Sequence, residues 1–249
     1  MARFFISNPI VSKQEIIVSG QEARHMRRVL RLKLGDKVDI FDGTGKEYRS
    51  EILRQGHQTL TLRILETTVP NRESPLTIIM GQSLVKGNKM DFIIQKATEL
   101  GVSEVFPFVS SRSITCLDKE RIEHRVNRWR RIAVESSKQC GRLIPLRIET
   151  VAKFDEVLER GSLATKKIIL WEKGTRNLPS LFRERNATAR LSESVYFLVG
   201  PEGGFSEEEI KRAEGTHFVP VSLGSRILRV ETAGLSFVSI LQYEWGDLR

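Results

Sequence analysis

Two stretches of this 249-residue chain gather residue types suited to holding a ligand and acting on it. Residues 195–209 read VYFLVGPEGGFSEEE, an apolar run that breaks into a glycine-rich turn and then into a capping box, Ser206 to Glu209. Glycines let backbone groups approach a ligand closely, and ligands of open α/β sheets sit just beyond strand C-termini. Gly200, Pro201, Gly203 and Gly204 around Glu202 are more special residues than a plain strand-to-helix turn needs. The turn is not the dinucleotide pattern GxGxxG, and no GxxxxGK[ST] loop occurs. Glu207 to Glu209 would repel phosphate at the start of the following helix, which argues against nucleotide phosphates there. Residues 223–234 read LGSRILRVETAG and place Arg226, Arg229 and Glu231 between a strand, Phe218–Val221, and an apolar helix, Leu235–Trp245. An Arg–Glu pair at a helix start is commonly structural. Here, however, both loops are expected to leave adjacent strands of one α/β domain and so to converge on one pocket.

Two further clusters are basic. Lys86 and Lys89 flank a short turn after a buried strand, with Lys96 and Glu99 on the next helix. The segment Gln21–Arg31 carries Ala23, Met26 and Leu30 on one helical face and Arg24, Arg28 and Arg31 on another, with Arg27 between. Only Glu22 offsets that charge, so the helix suits phosphate contacts. Lys33 and Lys37 extend the stripe, and a long helix about Asp118–Gln139 adds Arg121, Arg125, Arg128, Arg130 and Arg131. Trp129 on that helix reads as core.

The elements that must position these residues fall into two textures. Residues 1–70 read as short strands, Arg3–Ile6, Glu15–Val18, Lys37–Phe41, Glu47–Arg54 and Thr59–Leu65, interrupted by the basic helix. Leu60, Leu62 and Ile64 alternate with polar residues, the period of a half-buried strand. This is the pattern of a small β-barrel or sandwich. Residues 67–75 hold two prolines and read as a linker. From residue 71 on, apolar strands (Leu76–Gln82, Glu104–Val109, Lys167–Trp171, Val195–Val199, Phe218–Val221) alternate with helical stretches. Lys89–Leu100 is one of these stretches, closed by Gly101. Such alternation predicts an α/β domain with a mainly parallel sheet. The expected domains are 1–70 and 71–249.

Composition narrows the class. Hydrophobic residues make up 40% and charged residues 29%, enough for real cores. The formal net charge is +9, and residues 1–72 hold 13 Lys/Arg against 8 Asp/Glu, more than half the excess. Such a balance favours a polyanionic partner. Cys116 and Cys140 make no disulfide framework or zinc site, and no HExxH, secretory leader or roughly 20-residue apolar span is present. The expectation is a cytoplasmic protein without a metal or a membrane partner.

GPEGGFSEEE and LGSRILRVETA together closely resemble the signature loops of the bacterial ribosomal RNA small subunit methyltransferase E family, of the SPOUT superfamily. Residues His25, Val29, Leu30 and Arg31, then Lys96-to-Val102 (KATELGV) with Pro107, then Gln139-to-Arg142 (QCGR) with Pro145, extend the resemblance along nearly the whole chain. Residues 135–138 (ESSK) depart from the small residues expected there.

The resemblance implies a PUA-like RNA-binding β-barrel followed by a SPOUT α/β domain ending in a trefoil knot, and a homodimer. It implies S-adenosylmethionine as cofactor and N3 of a uridine in 16S ribosomal RNA, on the small ribosomal subunit, as target. Trp171, Glu172, Leu198, Val199, Gly200, Pro201, Gly203, Leu223, Gly224, Ile227 and Leu228 would cradle the cofactor. Arg229 would stabilise the anionic base, while Glu231 and Glu202 both remain candidates for orienting Arg229 or taking the proton. Arg3, Arg24, Arg27, Arg28, Arg31, Lys86 and Lys89 are the expected RNA contacts. Two alternatives stay open: an enzyme of the same fold acting on another base or a ribose 2′-hydroxyl, and a non-catalytic ribosome-associated RNA-binding factor.

Overall fold

A computed structural model describes residues 2–7, 9–12, 14–113, 119–160, 164–183 and 194–249. Cys116 and the expected helix start at Asp118 lie outside the described residues. The chain divides into two compact units, Met1–Glu73 with Val134–Pro145, and Ser74–Ala133 with Leu146–Arg249.

The first unit is built on one six-stranded sheet in the order β1-β4-β5-β6-β3-β2. Its strands are β1 (Ala2–Phe5), β2 (Val11–Ser12), β3 (Glu15–Val18), β4 (Lys37–Phe41), β5 (Glu47–Gln55) and β6 (Leu60–Thr68). β1 runs parallel to β4, and the other neighbours are antiparallel. The period-2 patterns explain the register. Val38 and Ile40, Ile52, and Leu60 and Leu62 turn to one face and close a core with Phe4, Ile16 and Val18. The helix α1 (Gly20–Arg24) continues as a π-helical turn (His25–Val29), and Ala23 and Met26 seal that core. Leu30 N–H reaches back to His25 O, and Arg31 adopts φ +53°, which ends the helix. Residues Val134–Pro145 are fixed within this unit by ion pairs. Lys138 meets Glu22, and Arg142 meets Glu73, whose Oε1 also accepts from the N–H groups of Leu143 and Ile144.

The second unit holds a parallel sheet in the order β10-β8-β7-β13-β11-β14-β12, with β9 paired to β8. In chain order the elements are β7 (Thr77–Ser83), α2 (Lys89–Glu99), β8 (Glu104–Val109), α3 (Lys119–Cys140, of which the residues from Val134 on belong to the first unit), β9 (Arg147–Ile148), β10 (Ala152–Lys153) and α4 (Phe154–Arg160). They continue with β11 (Lys166–Leu170), β12 (Arg176–Asn177), α5 (Leu178–Arg183), β13 (Ser194–Val199), α6 (Glu207–Gly215), β14 (Val219–Ser222) and α7 (Val230–Glu244). Continuous apolar strands are what a sheet covered on both faces requires. Val195, Phe197 and Val199 face the core formed with α2, α3 and α7, Trp129 included. Tyr196 and Leu198 face the core formed with α4 and α6. The fold is therefore mixed α/β, with the C-terminal ends of β7, β11, β13 and β14 along one edge. The strands before the two signature loops, β13 and β14, are not adjacent as expected but separated by β11, which pairs with both. Among the described residues no helix is long and apolar enough to cross a membrane.

α7 begins at Val230, five residues before the start read from the sequence. Gly234 lies buried inside the helix, packed against the sheet. A Cβ there would stand 2.7 Å from Met80 Cε and 3.4 Å from Val199 Cγ2. The earlier start puts Glu231 in the first helical turn.

Candidate functional site

The loops at that sheet edge enclose a cavity of about 540 Å³, within the range of small-molecule sites. Four segments wall it: Trp171 and Glu172 after β11, Val199 to Phe205 after β13, Ser222 to Arg229 after β14, and Lys89 at the start of α2. Of the expected cofactor residues, Trp171, Glu172, Val199, Gly200, Pro201, Gly203, Leu223, Gly224, Ile227 and Leu228 all line it, as do Glu202 and Arg229. Leu198 does not. Strand alternation turns it to the opposite face, where it is fully buried beside Tyr196. Leu170, Gly204, Phe205, Val221, Ser222, Arg226, Val230 and Ala233, none of them among the expected cofactor residues, also line the wall. Most of these sit within two residues of a motif position, so the motif was legible but its reach was not.

The glycine-rich turn is held from behind. Gly204 takes φ +67°, and Gly200 packs so tightly on Phe205 that a Cβ would meet the ring at 3.2 Å. Ser206 caps α6 as expected, its hydroxyl accepting from Glu209 N–H at 3.2 Å. Glu209 is fully buried and does more than close the box. Its Oε2 accepts from Ser206 N–H and from the Ser111 hydroxyl, each at 2.9 Å, and its Oε1 accepts from Ser111 N–H at 2.8 Å. The adjacent Arg112 donates to Gly203 O at 2.9 Å. The turn after β8 thus anchors a loop 98 residues further along the chain, which no local pattern announces.

Two carboxylates flank Lys89. Glu202 Oε1 lies 2.9 Å from Lys89 Nζ and accepts from Lys86 N–H at 3.2 Å. Partial burial raises the Glu202 pKa, but the Lys89 hydrogen bond, backbone N–H groups and the Lys89 charge outweigh it, leaving the carboxyl below its ordinary range. Glu231, unlike the other two expected catalytic residues, does not line the cavity; its Oε2 lies 3.9 Å from the same ammonium, buried and without a hydrogen-bond partner among the described residues. The Arg229 guanidinium stands at the exposed rim with no partner among the described residues.

The cavity suits a cofactor bound through backbone and apolar groups. Gly224 lines it with φ +120°, and a Cβ there would meet no protein atom within 4 Å. Val199, Pro201, Leu223, Ile227 and Leu228 supply apolar surface, and Glu172 and Glu202 supply acceptors for a cationic or hydroxyl-bearing ligand. No cluster of His, Cys, Asp and Glu suited to a metal occurs among the described residues.

The expected RNA contacts separate. Arg24 at the end of α1, Arg28 in the π-helical turn and Arg31 just beyond it are exposed, and Arg27 donates to His57 O. Arg3 is instead largely buried, paired with Glu47 at 2.8 Å and stacked 5.2 Å over the Phe41 ring. Lys86 is exposed, and Lys89 belongs to the cavity wall.

Comparison with known proteins matches the RNA methyltransferase domain over residues 72–242 and the RNA methyltransferase PUA domain over residues 18–65. The chain is 32% identical to the ribosomal RNA small subunit methyltransferase E of Bacillus subtilis, covering 100% of this chain and 99% of that one. It is 34% identical to the same enzyme of Buchnera aphidicola, covering 99% and 97%. A Neisseria gonorrhoeae ribosomal RNA small subunit methyltransferase E, solved bound to S-adenosylmethionine, superposes with a TM-score of 0.87 at 31% identity over 100% of both chains. A Legionella pneumophila methyltransferase solved with the same cofactor gives 0.88 at 32% identity over 99% of both.

Proposed function

The chain belongs to the ribosomal RNA small subunit methyltransferase E family, and on that premise we propose that it methylates N3 of a uridine in 16S ribosomal RNA, with S-adenosylmethionine as donor. The observation that carries the reading is the convergence of the two signature loops on one cavity of suitable size, with Arg229 at its rim. Bound S-adenosylmethionine supplies an electrophilic methyl group on a sulfonium. The backbone of Val199 to Gly203, of Leu223 to Gly224 and of Ile227 to Leu228 would hold it, with Trp171 and Glu172 beside them.

The chain's own side chains must then prepare the base. Uracil N3 carries a proton, and removing it puts negative charge on the neighbouring carbonyl oxygens. Arg229 is assigned to those oxygens, because a guanidinium stays charged and offers paired donors. Between the two candidate bases we favour Glu231. Its Oε2 makes no hydrogen bond among the described residues, whereas Glu202, though on the cavity wall, is held by Lys89 Nζ and Lys86 N–H and lies below its ordinary pKa, which makes it the weaker base.

Arg24, Arg28 and Arg31 would dock the RNA backbone. The reading extends to a knotted C-terminal segment, in keeping with β14 lying beyond β11 while α7 returns to pack on β13 and α2. It extends also to a homodimer, for which exposed Phe92 on α2 and Tyr243 on α7 offer apolar surface, and to a cytoplasmic site of action on ribosomal subunits.

Calorimetric titration with S-adenosylmethionine and S-adenosylhomocysteine tests the pocket. Mapping N3-methyluridine in ribosomes from a deletion strain, with and without the restored gene, tests the target. Arg229→Ala should retain cofactor binding and lose single-turnover chemistry. Unchanged chemistry in that variant would end the Arg229 assignment.

A further inference from the structure

Lys89 was expected among the RNA contacts, and its surroundings point elsewhere. A lysine that serves phosphates extends its ammonium into solvent. Lys89 instead opens α2 on the cavity wall, after a turn in which Gly87 takes φ +63°. Its Nζ stands 2.9 Å from Glu202 Oε1 and 3.9 Å from Glu231 Oε2. These carboxylates come from different elements, the glycine-rich turn after β13 and the first turn of α7. Glu231 Oε2 is buried with no hydrogen-bond partner among the described residues, a state that is costly for a carboxylate unless a cation stands near. Besides Lys89 and Glu202, the charged side chains on the cavity wall are Glu172, Arg226 and Arg229, all three solvent-exposed, while Glu231 approaches Lys89 without itself lining the cavity.

We infer that Lys89 is a positioning residue of the reaction centre: its ammonium ties the two signature loops together through Glu202 and Glu231 and cuts their joint charge from −2 to −1 beside the cavity. The inference rests on the cofactor reading above. It adds that this site senses cofactor charge, because S-adenosylmethionine carries a sulfonium charge that its demethylated product lacks. The affinities of the two ligands therefore respond differently to any change in the charge of this cluster.

The test uses the full-length protein and the variants Lys89→Met, Lys89→Arg and Glu202→Gln. Each is titrated by calorimetry with cofactor and with product, and with a ribosomal RNA fragment across a salt series. Lys89→Met leaves the carboxylates uncompensated, so affinity should shift toward the cationic cofactor over the neutral product by about threefold or more. Glu202→Gln should shift the same ratio the other way, and Lys89→Arg should return it to the wild-type value. Single-turnover methylation should fall by about tenfold in Lys89→Met and recover in large part in Lys89→Arg. The salt slope of RNA binding should not move. A ratio unchanged in both Lys89→Met and Glu202→Gln overturns the inference, and so does a slope reduced by about 1, the mark of a lost phosphate contact. If the wild-type protein binds neither ligand, the cofactor reading itself fails. If it binds both and methylates while the ratio stays fixed in the variants, only the Lys89 assignment fails.

Discussion

Replacing Glu209 with glutamine tests whether the glycine-rich loop is held in place by a buried charge. The exchange preserves shape and swaps one carboxylate oxygen for an NH2 group. Oε1 receives the Ser111 N–H, and Oε2 receives the Ser206 N–H and the Ser111 hydroxyl. In either amide orientation the new NH2 confronts a backbone N–H, leaving a donor buried without an acceptor. An unsatisfied buried donor costs about 1–3 kcal/mol, and a hydrogen bond to a charged acceptor is worth about 1.5–3 kcal/mol. Removing the charge also relieves the cost of burying a carboxylate, so the net loss should be about 2 kcal/mol. At about 2–4 °C per kcal/mol for domains of this size, the melting temperature should fall by about 4–8 °C. The damage centres on the loop that walls the cavity. A loop needing about 1.4 kcal/mol of extra ordering binds its ligand about tenfold more weakly. Differential scanning calorimetry gives the first number and titration with S-adenosylhomocysteine the second. Glu208→Gln, on the exposed face of the same turn, is the control and should change neither. A Glu209→Gln protein that melts within about 1 °C of wild type and binds product normally would refute the clamp.

Alanine at Arg24, Arg28 and Arg31 together should weaken RNA binding and reduce the salt slope by about 2, at about 0.7 per contact to single-stranded phosphate. An unchanged slope would remove the π-helical turn from the RNA surface. Lys138 offers a pH test in the first unit. Burial lowers its pKa, but hydrogen bonds to Glu135 and Glu22 and their charges more than offset that, so it lies above the ordinary 10.5. A raised folded-state pKa stabilises fully below the unfolded value and is lost as pH rises through the folded one. The stability gap between wild type and Lys138→Met should thus hold constant from neutrality to about pH 10 and shrink above it. A gap constant to pH 12 would contradict the pairing.

Much of the scaffold was legible because its cause is local. The unbroken apolar runs at 76–82 and 195–199 became β7 and β13, central in a sheet covered on both faces. The alternation of Leu60 and Leu62 with Thr61 and Arg63 became β6. What escaped was either too short or too distant. β9, β10 and β12 are two residues each, less than one period of any pattern. Gly234 illustrates an ambiguity of residue type. A glycine marks a turn when φ must be positive and marks a contact when backbones must approach, and the sequence alone does not separate the two. Met80 and Val199 decide it here, and they lie on strands far away in the chain.

The same ambiguity governs the charges of the site, with larger consequences. Arg3, Lys86 and Lys89 were grouped with the RNA contacts because basic residues in a basic chain suit a polyanion. The structure gives each a different neighbour. Arg3 faces Glu47 and the Phe41 ring and Lys89 stands between two carboxylates, whereas Lys86 is exposed and reaches Glu202 only through its backbone N–H. A cation within hydrogen-bond reach of a carboxylate has much of its charge already spoken for, and a phosphate must displace that partner to use it. Arg24, Arg28 and Arg31 are exposed with no carboxylate partner among the described residues, which leaves their charge available to a phosphate backbone. What a charged residue does in this protein is therefore decided less by its type than by what the fold sets opposite it. For that reason the salt slope and the cofactor-to-product affinity ratio, each responding to one class of cation and not the other, are the measurements that separate the two roles.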